Sequence, residues 1–162
     1  MPNELYTLAD TLGNRLKDLN LTLSLAESCT GGGIAKAVTD VPGSSRWFDR
    51  GFVTYSNAAK IEMLGVKPST VDSAGAVSIE TALEMAAGAL IHSHADLTLA
   101  VTGIAGPDGG RDDKPVGTVF IAWQRRNQPA HGIRHHFDGN RETIRYQVTL
   151  FCLRQTLNLL SD

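Results

Sequence analysis

Between Leu21 and Val38 the chain reads LTLSLAESCTGGGIAKAV, and this stretch restricts the possible folds more than any other. Leu21, Leu23 and Leu25 alternate with small or polar residues, the period-two signature of a strand with one buried face. Ile34 to Val38 reads as the opening of a helix that follows Thr30 and three glycines. Ser28, Cys29 and Thr30 therefore fall at the carboxyl end of a strand and in front of a helix N-terminus. An α/β sheet places its ligands at such ends. Exposed backbone N–H groups and the helix dipole favour negative charge there. A hydroxyl, a thiol and backbone donors are gathered at one point.

The 162 residues fit one domain, and a single domain over residues 1–162 is expected. A net charge of −2 provides no electrostatic basis for binding nucleic acid. Cys29 and Cys152 lie far apart with no metal-ligand spacing, so the expectation is a reduced, cytoplasmic protein without a structural zinc. The N-terminal stretch is acidic and lacks the apolar core of a signal peptide. No apolar run approaches the roughly 18 residues that span a bilayer, so no membrane partner is expected.

Leu5, Leu8, Leu12, Leu16 and Leu19 step by three or four, which predicts an amphipathic helix over about Glu4 to Leu19. After the strand–turn–helix, Asp40 to Ser45 breaks the chain, and GFVTYS reads as a short strand followed by a helix from Asn57 to Leu64. Gly65 stops that helix and Pro68 permits a new turn. Ser78 caps a further helix, whose alanines and Gly88 suggest close packing on a sheet. Leu97, Leu99 and Val101 form the next strand, ending in the loop Thr102 to Gly110. Val116 to Trp123 and Gly132 to Phe137 read as an antiparallel pair, and Asn140 caps the last helix. Alternating helices and strands with a late hairpin predict an α/β fold, a three-layer α/β/α sandwich on a mixed, mostly parallel sheet.

Two strand ends close on loops that combine glycine with a hydroxyl, Ser28 to Gly33 and Thr102 to Gly106. Neither spells a P-loop or GxGxxG, and turns needing positive φ would explain either one alone. A third candidate is Tyr55 to Lys60, which places Ser56 and Lys60 at i and i+4 of a helix. By itself Lys60 reads as a solvated surface lysine and Tyr55 as a half-buried strand residue. A lysine held neutral by burial can nonetheless serve a serine hydrolase as base. Ser28 is then a better nucleophile than Ser56, because the N–H groups of Thr30, Gly31 and Gly32 stand beside it as oxyanion donors. Cys29 is the rival nucleophile, although strand alternation turns Ser28 and Cys29 to opposite sides. The five histidines suggest no consistent site. Arg141 and Arg145, i and i+4 in the first turns of the last helix, read either as a surface pair or as a fork for phosphate or carboxylate.

AESCTGG, PGSS, GFVTYSNAAK, GAVS, TGIAGPDGG and KPVGTV occur in this order from Ala26 to Val119. Together they resemble the CinA C-terminal domain family, whose stand-alone members are nicotinamide-mononucleotide amidohydrolases. The resemblance runs over nearly the whole chain. It implies hydrolysis of a nucleotide carboxamide to carboxylate and ammonia by a metal-independent serine amidase, with no cofactor and a homodimeric assembly. The family's catalytic serine, tyrosine and lysine fall on Ser28, Tyr55 and Lys60. Its binding loops fall on Thr30, Gly31 and Gly32 and on Thr102, Gly103, Ala105 and Gly106, and its arginines on Arg141 and Arg145. A nucleotide-binding module without hydrolysis, or an amidase for another small amide, would use the same loops.

Overall fold

The computed structural model describes residues 3–161. Helix α1 (Glu4–Asp18) leads into β1 (Leu23–Glu27), α2 (Gly33–Thr39), a short 3-10 turn and β2 (Phe48–Val53). Three helices follow, α3 (Asn57–Leu64), α4 (Pro68–Ala74) and α5 (Ile79–Ile91), and then β3 (Leu97–Gly103), β4 (Thr118–Arg125), β5 (His131–His136) and α6 (Arg141–Leu159). The five strands form one sheet in the order β2-β1-β3-β4-β5. β1 pairs in parallel with β2 and β3, whereas β4 pairs antiparallel with β3 and β5. The sheet is thus mixed, and only β4 is reversed.

β4 starts later than the sequence pattern suggests. Val116 and Gly117 belong to the connecting turn, where Gly117 N–H donates to the Ile104 carbonyl at 2.7 Å before the ladder begins. Caps match their residues: the Ser56, Ser78 and Asn140 side chains each accept the amide three residues on.

The two faces of the sheet are packed differently. Leu23, Leu25, Leu99, Val101, Ile121 and Trp123 point into a large core beneath α1, α2 and α6. On the opposite face, register places Ala26 beside Ala100 and Ala100 beside Ala122. This row of small side chains lets α5 lie close, through Ala82, Met85, Ala86 and Ala89. The Thr98 hydroxyl even reaches the Ala86 carbonyl of that helix at 2.8 Å.

Gly88 serves a different contact from the one its sequence neighbours suggest. It faces α3 rather than the sheet, and a methyl group there would collide with the Leu64 carbonyl. Alanine would gain about 1 kcal/mol of helix propensity, but an overpacked backbone contact loses about 1–3 kcal/mol. Gly88→Ala is therefore expected to lower stability by up to about 2 kcal/mol in urea unfolding, despite the better helix former.

Candidate active site

The carboxyl end of β1 distributes its side chains by strand parity. Glu27 and Cys29 point to the α2 side of the sheet, and Ser28 to the α3 side. Glu27 is only 1% exposed. Its Oε1 accepts the Thr30 hydroxyl at 2.6 Å and the Ile34 amide at 3.0 Å, and its Oε2 accepts the Ala35 amide at 2.9 Å. A carboxylate from the chain itself thus occupies the N-terminus of α2, satisfying two amides that the helix cannot.

That placement corrects the expectation for the glycine turn. Thr30, Gly31 and Gly32 are absent from the cavity wall on which Ser28 lies. Thr30 spends its hydroxyl on Glu27, and the Gly31 amide donates to the Ser28 carbonyl at 3.0 Å. Gly31 and Gly32 both take positive φ, +60° and +97°, which the tight reversal into α2 requires.

Ser28 meets Lys60. The Lys60 side chain leaves α3 and places Nζ 2.9 Å from Ser28 Oγ, while donating to the Thr54 carbonyl at 2.8 Å. Lys60 is 1% exposed, the reverse of a solvated lysine, and burial holds its pKa below the ordinary value. Among the described residues no carboxylate lies in ion-pair range of it. A protonated amine would have three N–H bonds for these two acceptors. A neutral amine donates one N–H to Thr54, accepts the Ser28 proton at its lone pair and likewise keeps one N–H over, so it is burial without a counter-ion, not the hydrogen-bond count, that disfavours the charged form. Thr54 is itself tied to β1, its amide donating to the Glu27 carbonyl at 2.8 Å.

The Ser28–Lys60 pair opens into a cavity of about 460 Å³. Thr102, Gly103, Ala105 and Gly106 form one wall, with the Thr102 hydroxyl committed to the Ala76 carbonyl at 2.9 Å. Tyr55 stands at the rim, 58% exposed, and its hydroxyl accepts from Arg141 Nη2 at 2.9 Å rather than touching Ser28 or Lys60. Arg141 Nη1 also donates to the Gly106 carbonyl at 2.8 Å. Arg145 is elsewhere: its guanidinium donates to the Cys29 and Thr30 carbonyls at 3.1 and 3.3 Å, and it does not line the cavity. The two arginines do not form a fork. Ser56 is spent as the cap of α3, accepting the Ala59 amide at 3.0 Å.

Several wall residues escaped the sequence reading. Lys114 lies within KPVGTV and donates to the Val77 and Ala74 carbonyls at 2.6 and 3.3 Å. Arg111 and Asp108 also face the cavity. Lys114, Arg111 and Arg141 stand against Asp108 and against Asp113, which pairs with Arg111 at 3.2 Å, so this end keeps a positive excess on a chain whose net charge is −2. Only the motif spelling marked Lys114, since a lysine in a loop has no periodicity to betray it.

Cys29 is a poor nucleophile here. Burial pushes its thiol up to about 12, so it stays protonated near neutral pH. Iodoacetamide at that pH is expected to leave Cys29 unmodified in the folded protein and to alkylate it after unfolding, as read by peptide mass.

Comparison with known proteins assigns the chain to a family. Residues 5–160 match the CinA C-terminal domain family. The nicotinamide-nucleotide amidohydrolase PncC of Escherichia coli K12 is 48% identical over 96% of this chain and 93% of its own length. That of Pseudomonas putida is 49% identical over 94% of this chain and 95% of its own. The crystal structure of the competence/damage inducible protein CihA from Agrobacterium tumefaciens superposes with a TM-score of 0.93 at 45% identity, covering 100% of this chain and 98% of that one. With a family model matching residues 5–160, a shared fold and near-complete coverage of the relatives, the chain belongs to the CinA C-terminal domain family.

Proposed function

We propose that this protein hydrolyses the carboxamide of nicotinamide mononucleotide to nicotinate mononucleotide and ammonia, with Ser28 as nucleophile and Lys60 as general base. The activity is that named for relatives nearly half identical over almost their whole length. The observation that carries the residue assignment is the 2.9 Å contact between a serine hydroxyl and a buried amine that has no counter-ion among the described residues.

Ser28 Oγ attacks the amide carbon as its proton passes to Lys60 Nζ. The tetrahedral oxyanion is held by backbone N–H. The Cys29 amide, which follows the nucleophile in a residue that lines the cavity, is the donor placed for this. The C–N bond breaks as Lys60 returns the proton to the amine, releasing ammonia and leaving a nicotinoyl ester on Ser28. Water then attacks the ester carbon, giving a proton to Lys60. The C–O bond to Ser28 breaks, and the proton passes back to Ser28 Oγ. The positive end formed by Arg141, Arg111 and Lys114 receives the phosphate, and Tyr55 holds the Arg141 guanidinium from the rim. A module that only bound a nucleotide would have no use for an unpaired buried amine on a serine. The protein acts as one domain, in the cytoplasm and as a homodimer, and light scattering at twice the chain mass is the expected reading. Among the described residues no helix is long and apolar enough to cross a membrane.

Ammonia release tests the reaction. Ser28→Ala is expected to abolish it while nucleotide binding persists. The base acts deprotonated, so kcat/KM should fall as pH drops through the Lys60 pKa, which burial places below that of a free lysine. Lys60→Arg, whose guanidinium stays protonated, should be inactive across the whole profile. Turnover by Ser28→Ala, or a profile unchanged in Lys60→Arg, would remove the assignment.

Arg141→Ala is expected to raise KM for the nucleotide by about tenfold or more, the scale of a lost charge-assisted phosphate contact. The nucleoside, which lacks the phosphate, should show a much smaller change in the same assay.

A further inference from the structure

The turn after Ser28 is held on two sides, and only the inner side follows from helix capping. On that side Glu27 takes the Thr30 hydroxyl and the first free amides of α2. On the outer side Arg145 reaches across from α6, 116 residues away from Cys29 in sequence, and donates from Nε to the Cys29 carbonyl and from Nη2 to the Thr30 carbonyl. Pinning two successive carbonyls fixes two successive peptide planes, because each peptide unit is rigid. The second of those planes carries the Gly31 amide, which donates back to the Ser28 carbonyl. The guanidinium is the right shape for this task, since its fork addresses two acceptors at once. Gly31 makes room for it: a Cβ there would lie 2.7 Å from Arg145 Nη2. Arg145 is anchored in turn by α6, whose Ile144 and Val148 are buried in the main core.

We propose that Arg145 is a positioning residue: by bridging the Cys29 and Thr30 carbonyls it holds the Ser28 hydroxyl against the Lys60 amine, and it makes no contact with the substrate phosphate. The proposal rests on the reading of Ser28 as nucleophile. Loss of the clamp lets the turn shift while leaving the positive end of the cavity, with Arg141 and Lys114, in place. A displacement of about 1 Å at a nucleophile is enough to reduce turnover about 100-fold.

The test is Arg145→Ala, with Arg145→Lys beside it, assayed on nicotinamide mononucleotide and on nicotinamide riboside. The expected result is a kcat lowered about 100-fold on both substrates, with KM for each changed by less than about threefold. Lysine, able to reach one carbonyl but not both, should recover part of the loss. A crystal structure of Arg145→Ala should show Ser28 Oγ and Lys60 Nζ out of hydrogen-bond reach. A KM increase confined to the nucleotide would overturn the proposal in favour of a phosphate contact. So would an unchanged kcat, or an intact Ser28–Lys60 contact in the variant crystal. If the unaltered protein releases no ammonia from either substrate, the amidase reading fails on its own, and the crystal structure alone decides the clamp.

Discussion

Side chains on a strand alternate between faces, and at the end of β1 that alternation determines nearly everything the site contains. Glu27, Ser28 and Cys29 are consecutive, so Ser28 must face away from its two neighbours. Glu27 goes to the α2 side, where a helix begins with unpaired amides that a carboxylate can satisfy. Ser28 goes to the side where α3 delivers an amine. Cys29 goes into the main core, where burial keeps the thiol protonated. A slip of one residue in register would put the carboxylate beside Lys60 and the serine in the core. The lysine would then become an ordinary ion pair, permanently charged and of no use as a base.

The absence of a counter-ion near Lys60, among the described residues, is therefore as consequential as the contacts it makes. Burying a charged ammonium costs several kcal/mol unless it is paired, and the inexpensive response is to release the proton. Glu27 is the carboxylate next to Ser28 in the chain, and its oxygens are engaged by Thr30 and the first amides of α2 on the opposite side of the sheet. One group thus does two things: it stabilises a helix end, and it keeps a negative charge away from the base. The helix N-terminus loses its capacity to bind an anion, so the positive character of the cavity comes from side chains, Arg141, Arg111 and Lys114, rather than from the α2 dipole.

How much of this was legible in the sequence depended on whether the signal was local. Element order and the bounds of α3 were readable because caps and apolar spacing act within a few residues, as with Ser56, Gly65 and Ser78. Ser28 was readable as a strand-to-helix corner for the same reason. Lys60 and Tyr55 were misplaced by residue type alone: the lysine is buried and the tyrosine exposed, because burial is set by β2 and the turn at Thr54 rather than by either side chain. Gly88 looked like a sheet contact, yet the partner that excludes a side chain is a carbonyl on α3, 24 positions earlier. Spacing raised Lys60 and the Arg141–Arg145 pair as candidates with a surface reading beside each, and the family resemblance favoured the functional one.

The two arginines of α6 show why helical spacing can mislead about shared function. Residues at i and i+4 lie on one face about 6 Å apart, so a common anion is the natural reading of Arg141 and Arg145. The guanidinium, however, sits at the end of a long side chain, and each follows the acceptors nearest to it. Arg141, in the first turn, finds the Gly106 carbonyl and Tyr55 across the cavity. Arg145, one turn deeper, finds the two carbonyls after the nucleophile. The helix thus sets the substrate end of the site and the reacting end by one rigid rise of about 6 Å. Movement of α6 would displace both guanidiniums together, so the contacts at Gly106 and at the turn after Ser28 are coupled through one helix.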